Sequence, residues 1–224
     1  MKKNFLVILA VLFIAYPANS QEKKAESQED KTSKKEVTIG DQVYYEITLE
    51  DFEKTEYTEK NIIYFSRSEE EKAGISMRTD YPAPIKNSKK YLGIKLYGKQ
   101  GNAIQIIPAK KITIDKYCRS ISMWIFGKNF AGELSMIIKD ANMKAHRLII
   151  RKLNFIGWRK LIIKLPDKIA QEDARLTKKM NIEIIKFIYK PGTPTRLPIW
   201  HYFYIDDIGA MVRKKYTDKQ SDDW

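Results

Sequence analysis

Two acidic pairs, Glu50-Asp51 and Asp206-Asp207, are the side chains of this chain best spaced to do chemistry. Ile205 and Ile208 flank the second pair three residues apart, so strict strand alternation cannot bury both. Either a bulge lies at Asp206-Asp207 or one carboxylate points inward. An inward carboxylate needs a cation or several hydrogen-bond donors. A structural calcium ion held by oxygens of Asp51, Asp206 and Asp207 would meet that need. The other arrangement is a bulge whose carboxylates are wet or bonded to backbone amides, with no metal and no cofactor.

Catalytic signatures are thin. The chain has no Gly-x-Ser-x-Gly elbow, no paired-cysteine metal motif, no His-Glu-x-x-His and no glycine-rich phosphate loop. His146 and His201 are its only histidines, and each opens an expected strand. Cys118 is the lone cysteine, which excludes an intrachain disulfide and reads as a buried structural thiol. A hydrolase working with two carboxylates would need them across a cleft, whereas the acids here fall mostly in leader, turns and polar faces. The residues point away from an enzyme.

Binding is better served. Trp200, Tyr202 and Tyr204 alternate along one stretch and would share a strand face. Phe187 and Tyr189 sit in a segment that is apolar on both sides, and Trp224 closes the polar tail as a candidate anchor. These six are the candidate interface residues.

The elements that must position them read as strands. Segments rich in Ile, Val, Tyr, Phe and Trp are expected at 42–49, 61–65, 74–79, 91–97, 103–107, 120–126, 133–139, 146–151, 158–165, 182–189 and 202–212. Turn residues such as Asp80-Tyr81-Pro82 and Gly127-Lys128-Asn129 separate them. Such spacing predicts an all-β, jelly-roll-like antiparallel β-sandwich over residues 42–212. One helix or ordered loop is expected over 167–180, after Pro166. Segments 120–126 and 182–189 are apolar on both faces, so loops or another molecule must cover their second side.

The ends are of another kind. Lys2 and Lys3 precede an apolar run from Phe5 to Tyr16 that closes on Ala18-Asn19-Ser20, the layout of a secretory signal peptide over residues 1–20. The run is too short to remain as a membrane span. A charged, flexible leader follows over 21–41, and 213–224 form a polar tail. Lys and Arg outnumber Asp and Glu by 41 to 28, so an acidic partner is favoured: an anionic protein surface, an acidic polysaccharide or lipid head groups. Nucleic acid suits the charge but not an exported protein.

Several motifs then fall in a familiar order. Glu50-Asp51-Phe52-Glu53 is followed by Ser122-Met123-Trp124-Ile125-Phe126-Gly127 and Gly132-Glu133-Leu134. Gly157-Trp158-Arg159-Lys160-Leu161 and Tyr204-Ile205-Asp206-Asp207-Ile208 come later. The order resembles the spirochaete flagellar filament outer-layer (sheath) proteins and, more loosely, the jelly-roll carbohydrate-binding modules. The first resemblance implies a periplasmic structural component that coats a flagellin core beside other sheath proteins and stiffens or shapes the filament for motility. The second implies a secreted, non-catalytic glycan-binding module. In either case the matching positions read as fold determinants, with Trp124 and Trp158 in the core.

Overall fold

Side-chain alternation decides which residues face inward, and the architecture follows from it. The computed structural model describes residues 43–66, 68–172, 180–192 and 196–215. The proposed signal and leader, and Trp224, lie outside the described residues. The strands are β1 (Tyr45–Glu50), β2 (Ile62–Phe65), β3 (Lys72–Arg78), β4 (Tyr91–Gly98), β5 (Ala103–Ile106) and β6 (Ile112–Ile114), then β7 (Tyr117–Lys128), β8 (Gly132–Lys139), β9 (Ala145–Lys152), β10 (Ile156–Lys164), β11 (Ile182–Pro191) and β12 (Ile199–Arg213).

They form two antiparallel sheets. Sheet A runs β10-β7-β12-β4-β3, with β1 paired to the far half of β12 beyond β4. Sheet B runs β2-β5-β11-β8-β9, with β6 paired to β11 in the same manner. Most connections, including β7 to β8, β9 to β10 and β11 to β12, carry the chain from one sheet to the other. That crossing pattern makes the expected jelly-roll-like sandwich. Among the described residues no helix is long and apolar enough to cross a membrane.

The core lies between the sheets. Leu92, Ile94 and Leu96 of β4, Ile121, Met123 and Ile125 of β7, and Phe203 and Ile205 of β12 face inward from sheet A. Ile104 and Ile106, Leu134, Met136 and Ile138 meet them from sheet B. Each such side chain contributes about 1.5–3 kcal/mol of burial. The backbone crowds in one place: a Cβ added at Gly132 would stand 2.1 Å from the Tyr189 hydroxyl oxygen.

Three expectations change. Phe187 and Tyr189 are 3% and 1% exposed, so neither is available as a contact residue. The register of β11 against β8 slips between Ile184 and Lys186, and this bulge swaps the inward parity. Ile182 and Ile184 point inward before it, Phe187 and Tyr189 after it. The segment that read as apolar on both faces is largely one buried face with a slip in the middle. Second, the described part of 167–180 forms turns, not helix, and residues 173–179 lie outside the described residues. Buried Gln171 of that stretch bonds both backbone groups of Cys118, at 2.7 and 2.8 Å. Third, β12 starts at Ile199, so Trp200 belongs to the strand.

Candidate functional site

In β12, His201, Phe203 and Ile205 point into the core, so Trp200, Tyr202 and Tyr204 stand on the outer face of sheet A. The structure therefore brings these three expected residues together. Neighbouring strands complete the surface in register. Tyr97 and Lys95 of β4 lie opposite Trp200 and Tyr202, while Phe126 of β7 lies opposite Tyr204 and next to Trp158 of β10.

The rings form one connected cluster. Trp200 and Tyr202 stack at 6.0 Å with an interplanar angle of 24°, and Tyr97 meets Trp200 at 5.2 Å. Tyr204, Phe126, Trp158 and Tyr91 make edge-to-face contacts of 5.4–5.6 Å around a square. Trp200 is 39% exposed, and Tyr97, Tyr202, Tyr204, Phe126 and Trp158 are half-buried.

Cations thread between the rings. Lys128 Nζ lies 5.3 Å from the Tyr202 ring centre and 5.6 Å from that of Tyr204, and Lys95 Nζ lies 5.8 Å from Trp200. Gly74 makes room for the Lys95 stem, since a Cβ there would stand 2.8 Å from Lys95 Cε. Lys72 pairs with Tyr97 at the edge. Among the described residues, no carboxylate occupies the rows of the face built on Trp200, Tyr202 and Tyr204. Lysine rows and aromatic rows are interleaved there.

The loop between β3 and β4 bounds this platform. Trp158 Nε1 donates to the Tyr81 carbonyl at 3.1 Å. Asp206, the next outward residue of β12, is 0% exposed beneath the loop. Its Oδ2 accepts from the Ser88 hydroxyl at 2.7 Å and the Ala83 amide at 3.3 Å, and its Oδ1 accepts from the Asp207 amide at 2.8 Å. Asp207 has φ 41°, and the pairing of β12 with β7 slips between Asp206 and Gly209. Of the two sequence alternatives the bulge is the one realised, and Asp206 is buried on the outer side of the sheet, under the loop, with its carboxylate satisfied by donors.

Beside it opens a cavity of about 590 Å³ lined by Glu46, Asp51, Glu53, Asp207, Lys160 and Trp124 among others. Burial pushes the Asp206 carboxyl above its ordinary range against the pull of Ser88 and two amides. Asp207 is also raised, by burial first, with Lys160 opposing and Glu46 and Asp51 adding to the rise. The hydrogen bond from Lys160, 2.6 Å long, holds Glu46 low. Asp51, Asp206 and Asp207 share this cavity, yet Asp51 accepts from the Glu53 amide and Asp206 from three donors. Among the described residues no three His, Cys, Asp or Glu side chains are grouped so as to hold a metal ion.

The remaining titratable residues are structural. His146 Nε2 lies 2.6 Å from Asp140, clasping the β8–β9 turn, and the Asp140 carboxylate also accepts from the Asn142 and Lys144 amides. His201 Nδ1 lies 2.9 Å from the Tyr189 hydroxyl inside the core. Cys118 is buried, and desolvation pushes its thiol up to about 12.

Sequence reasoning missed Lys95, Lys128, Tyr97 and Phe126 as members of the face and put Trp124 and Trp158 in the core. Both tryptophans instead stand on the outer face of sheet A, half-buried beside the β3–β4 loop. The available signal was parity: Tyr91, Lys95 and Tyr97 alternate with Leu92, Ile94 and Leu96.

Residues 69–189, more than half of the chain, match the family model of the flagellar filament outer layer protein FlaA, and the chain belongs to that family. A flagellar filament outer layer-like protein of Brachyspira hyodysenteriae is 28% identical over 128 residues, which is 56% of this chain. The chain spans 59% of that relative's length. Among solved structures, the family 11 carbohydrate-binding module of a Clostridium thermocellum cellulosomal cellulase shares 15% identity at a TM-score of 0.44. That overlap covers 77% of this chain and 97% of the module. A xylan-binding domain of family 22 shares 11% identity at a TM-score of 0.36, over 77% and 96% of the two chains. These likenesses are of strand arrangement in outline and carry nothing about ligands.

Proposed function

We propose that the chain is an exported, non-catalytic subunit of the periplasmic flagellar filament, laid with other outer-layer proteins around a flagellin core that it stiffens or shapes. The family match over residues 69–189 carries this reading. Three features of the chain agree with it. The first twenty residues have the layout of a cleavable export signal. The formal charge is +13, which opposes wrong cationic partners and draws acidic ones. Apolar side chains stay exposed on both sheets, with Ile63 and Ile149 on sheet B and Ile162 on sheet A. A coat subunit needs at least two such faces, one toward the core and one toward its neighbours.

The test is mass spectrometry of purified filaments from cells with and without the gene, with curvature measured by electron microscopy. The chain is expected in the filament fraction, with altered curvature and swimming in its absence. Recovery in the soluble periplasm together with unchanged filaments refutes the proposal.

A further inference from the structure

We infer that the outer face of sheet A is a binding platform for a linear acidic polysaccharide, with sugar rings stacked on Trp200, Tyr202 and Tyr204. The inference stands on the surface itself and not on the filament reading. Trp200, Tyr202 and Tyr204 lie at alternate positions of one strand, so their rings recur about 6.8 Å apart and make a row about 14 Å long. The row suits a thin ligand that repeats along its length. Pyranose rings offer apolar C–H faces to aromatic rings and carry their polar groups at the rim.

The lysine ammoniums stand over these same aromatic rings, within reach of that polar rim. Lys128 sits between Tyr202 and Tyr204, and Lys95 sits over Trp200. Each can donate to a hydroxyl or pair with a carboxylate beside a stacked ring. Charge selects the acidic member of the class. Lys72, Lys95 and Lys128 line the rows, no described carboxylate does, and the acids of the cavity beyond Asp206 lie across the loop boundary.

A flat protein partner fits less well. Lysine is depleted from the dry centres of protein interfaces, and here lysines occupy the centre. A wet, hydroxyl-rich ligand leaves them hydrated. Single-stranded nucleic acid also combines stacking with anionic charge, and it is a competitor that the experiment must exclude.

Titrations of the full chain with a hexa-uronate from alginate, followed by calorimetry and tryptophan fluorescence, test the inference. Saturable binding with a fluorescence shift is expected, weakening as salt rises. Trp200→Ala and Tyr202→Ala should each weaken binding roughly tenfold, and Lys128→Gln by about threefold to tenfold. Ile149→Thr, on the opposite sheet, should bind as the parent does. Circular dichroism melts of every variant separate lost binding from lost folding. Four results overturn the inference: no saturation with hexa-uronate, hexaglutamate binding equally well, neutral cellohexaose binding equally well, or a thymidine hexanucleotide binding more tightly.

Discussion

Replacing Asp206 with alanine removes the acceptor that holds the Ala83–Ser88 part of the β3–β4 loop on the sheet, while Glu53 keeps its bonds to the Lys89 and Lys90 amides. Three donors lose their partner: the Ala83 amide, the Ser88 hydroxyl and the Asp207 amide. Bonds to a charged acceptor contribute about 1.5–3 kcal/mol each, but the substitution also releases a carboxylate that burial has already made costly. The net loss is about 2–4 kcal/mol. That part of the loop can peel away alone, and a local opening takes up the loss before the whole domain does. Amide exchange of Ala83 is therefore the decisive readout, expected to quicken by about thirtyfold to several hundredfold. Asp206→Asn, which keeps one acceptor oxygen, should fall between alanine and the parent. Exchange at Ala83 within threefold of the parent in the alanine variant would refute the latch.

Other outcomes follow from the same geometry. Phe187→Ala should cost about 3–5 kcal/mol in denaturant melts, because the bulge at Ile185 turns that ring into the core, while Trp200→Ala should cost less than about 1 kcal/mol, because the alternation of β12 leaves its ring at the surface. Cys118 should resist iodoacetamide in the native protein at pH 8 and react fully in denaturant, since its thiol is buried and pushed up to about 12. Acid should expose two opposed contributions. Burial works against the Asp140 carboxylate, but His146 and two amides outweigh it and hold it low, so its stabilisation is present above its unfolded pKa and lost as pH falls through the folded one. Asp206 and Asp207 are raised, so for them stability falls as pH climbs from the unfolded pKa through the folded one. Asp140→Asn should therefore flatten the loss of stability below about pH 4, and Asp206→Asn should leave that loss intact.

Much of this was legible in the residues. The β-sandwich followed from short alternating segments and turn chemistry, and the bulge at Asp206-Asp207 from the spacing of Ile205 and Ile208. The bulge in β11 was hidden because Ile184 and Ile185 are both aliphatic, so no change of residue type marks the slip of parity. β6 has three residues, too few to show a period. The platform was half visible: β12 announced Trp200, Tyr202 and Tyr204. Its lysines come from β3, β4 and β7, and only strand order makes them neighbours. Trp124 and Trp158 misled because large apolar rings are usually interior, while here a loop and adjoining rings give them partial cover on the outside.

The long β12 lies in the middle of sheet A, touching β1, β4 and β7, although it is the last of the described strands along the chain. Without it the other five strands of sheet A fall into two separate pairs, β10-β7 and β4-β3, and an unpaired β1, so that half of the sandwich must wait for the residues of β12. An unfinished chain therefore cannot close sheet A, and the sandwich zips shut only once the residues of β12 are free to enter the gap.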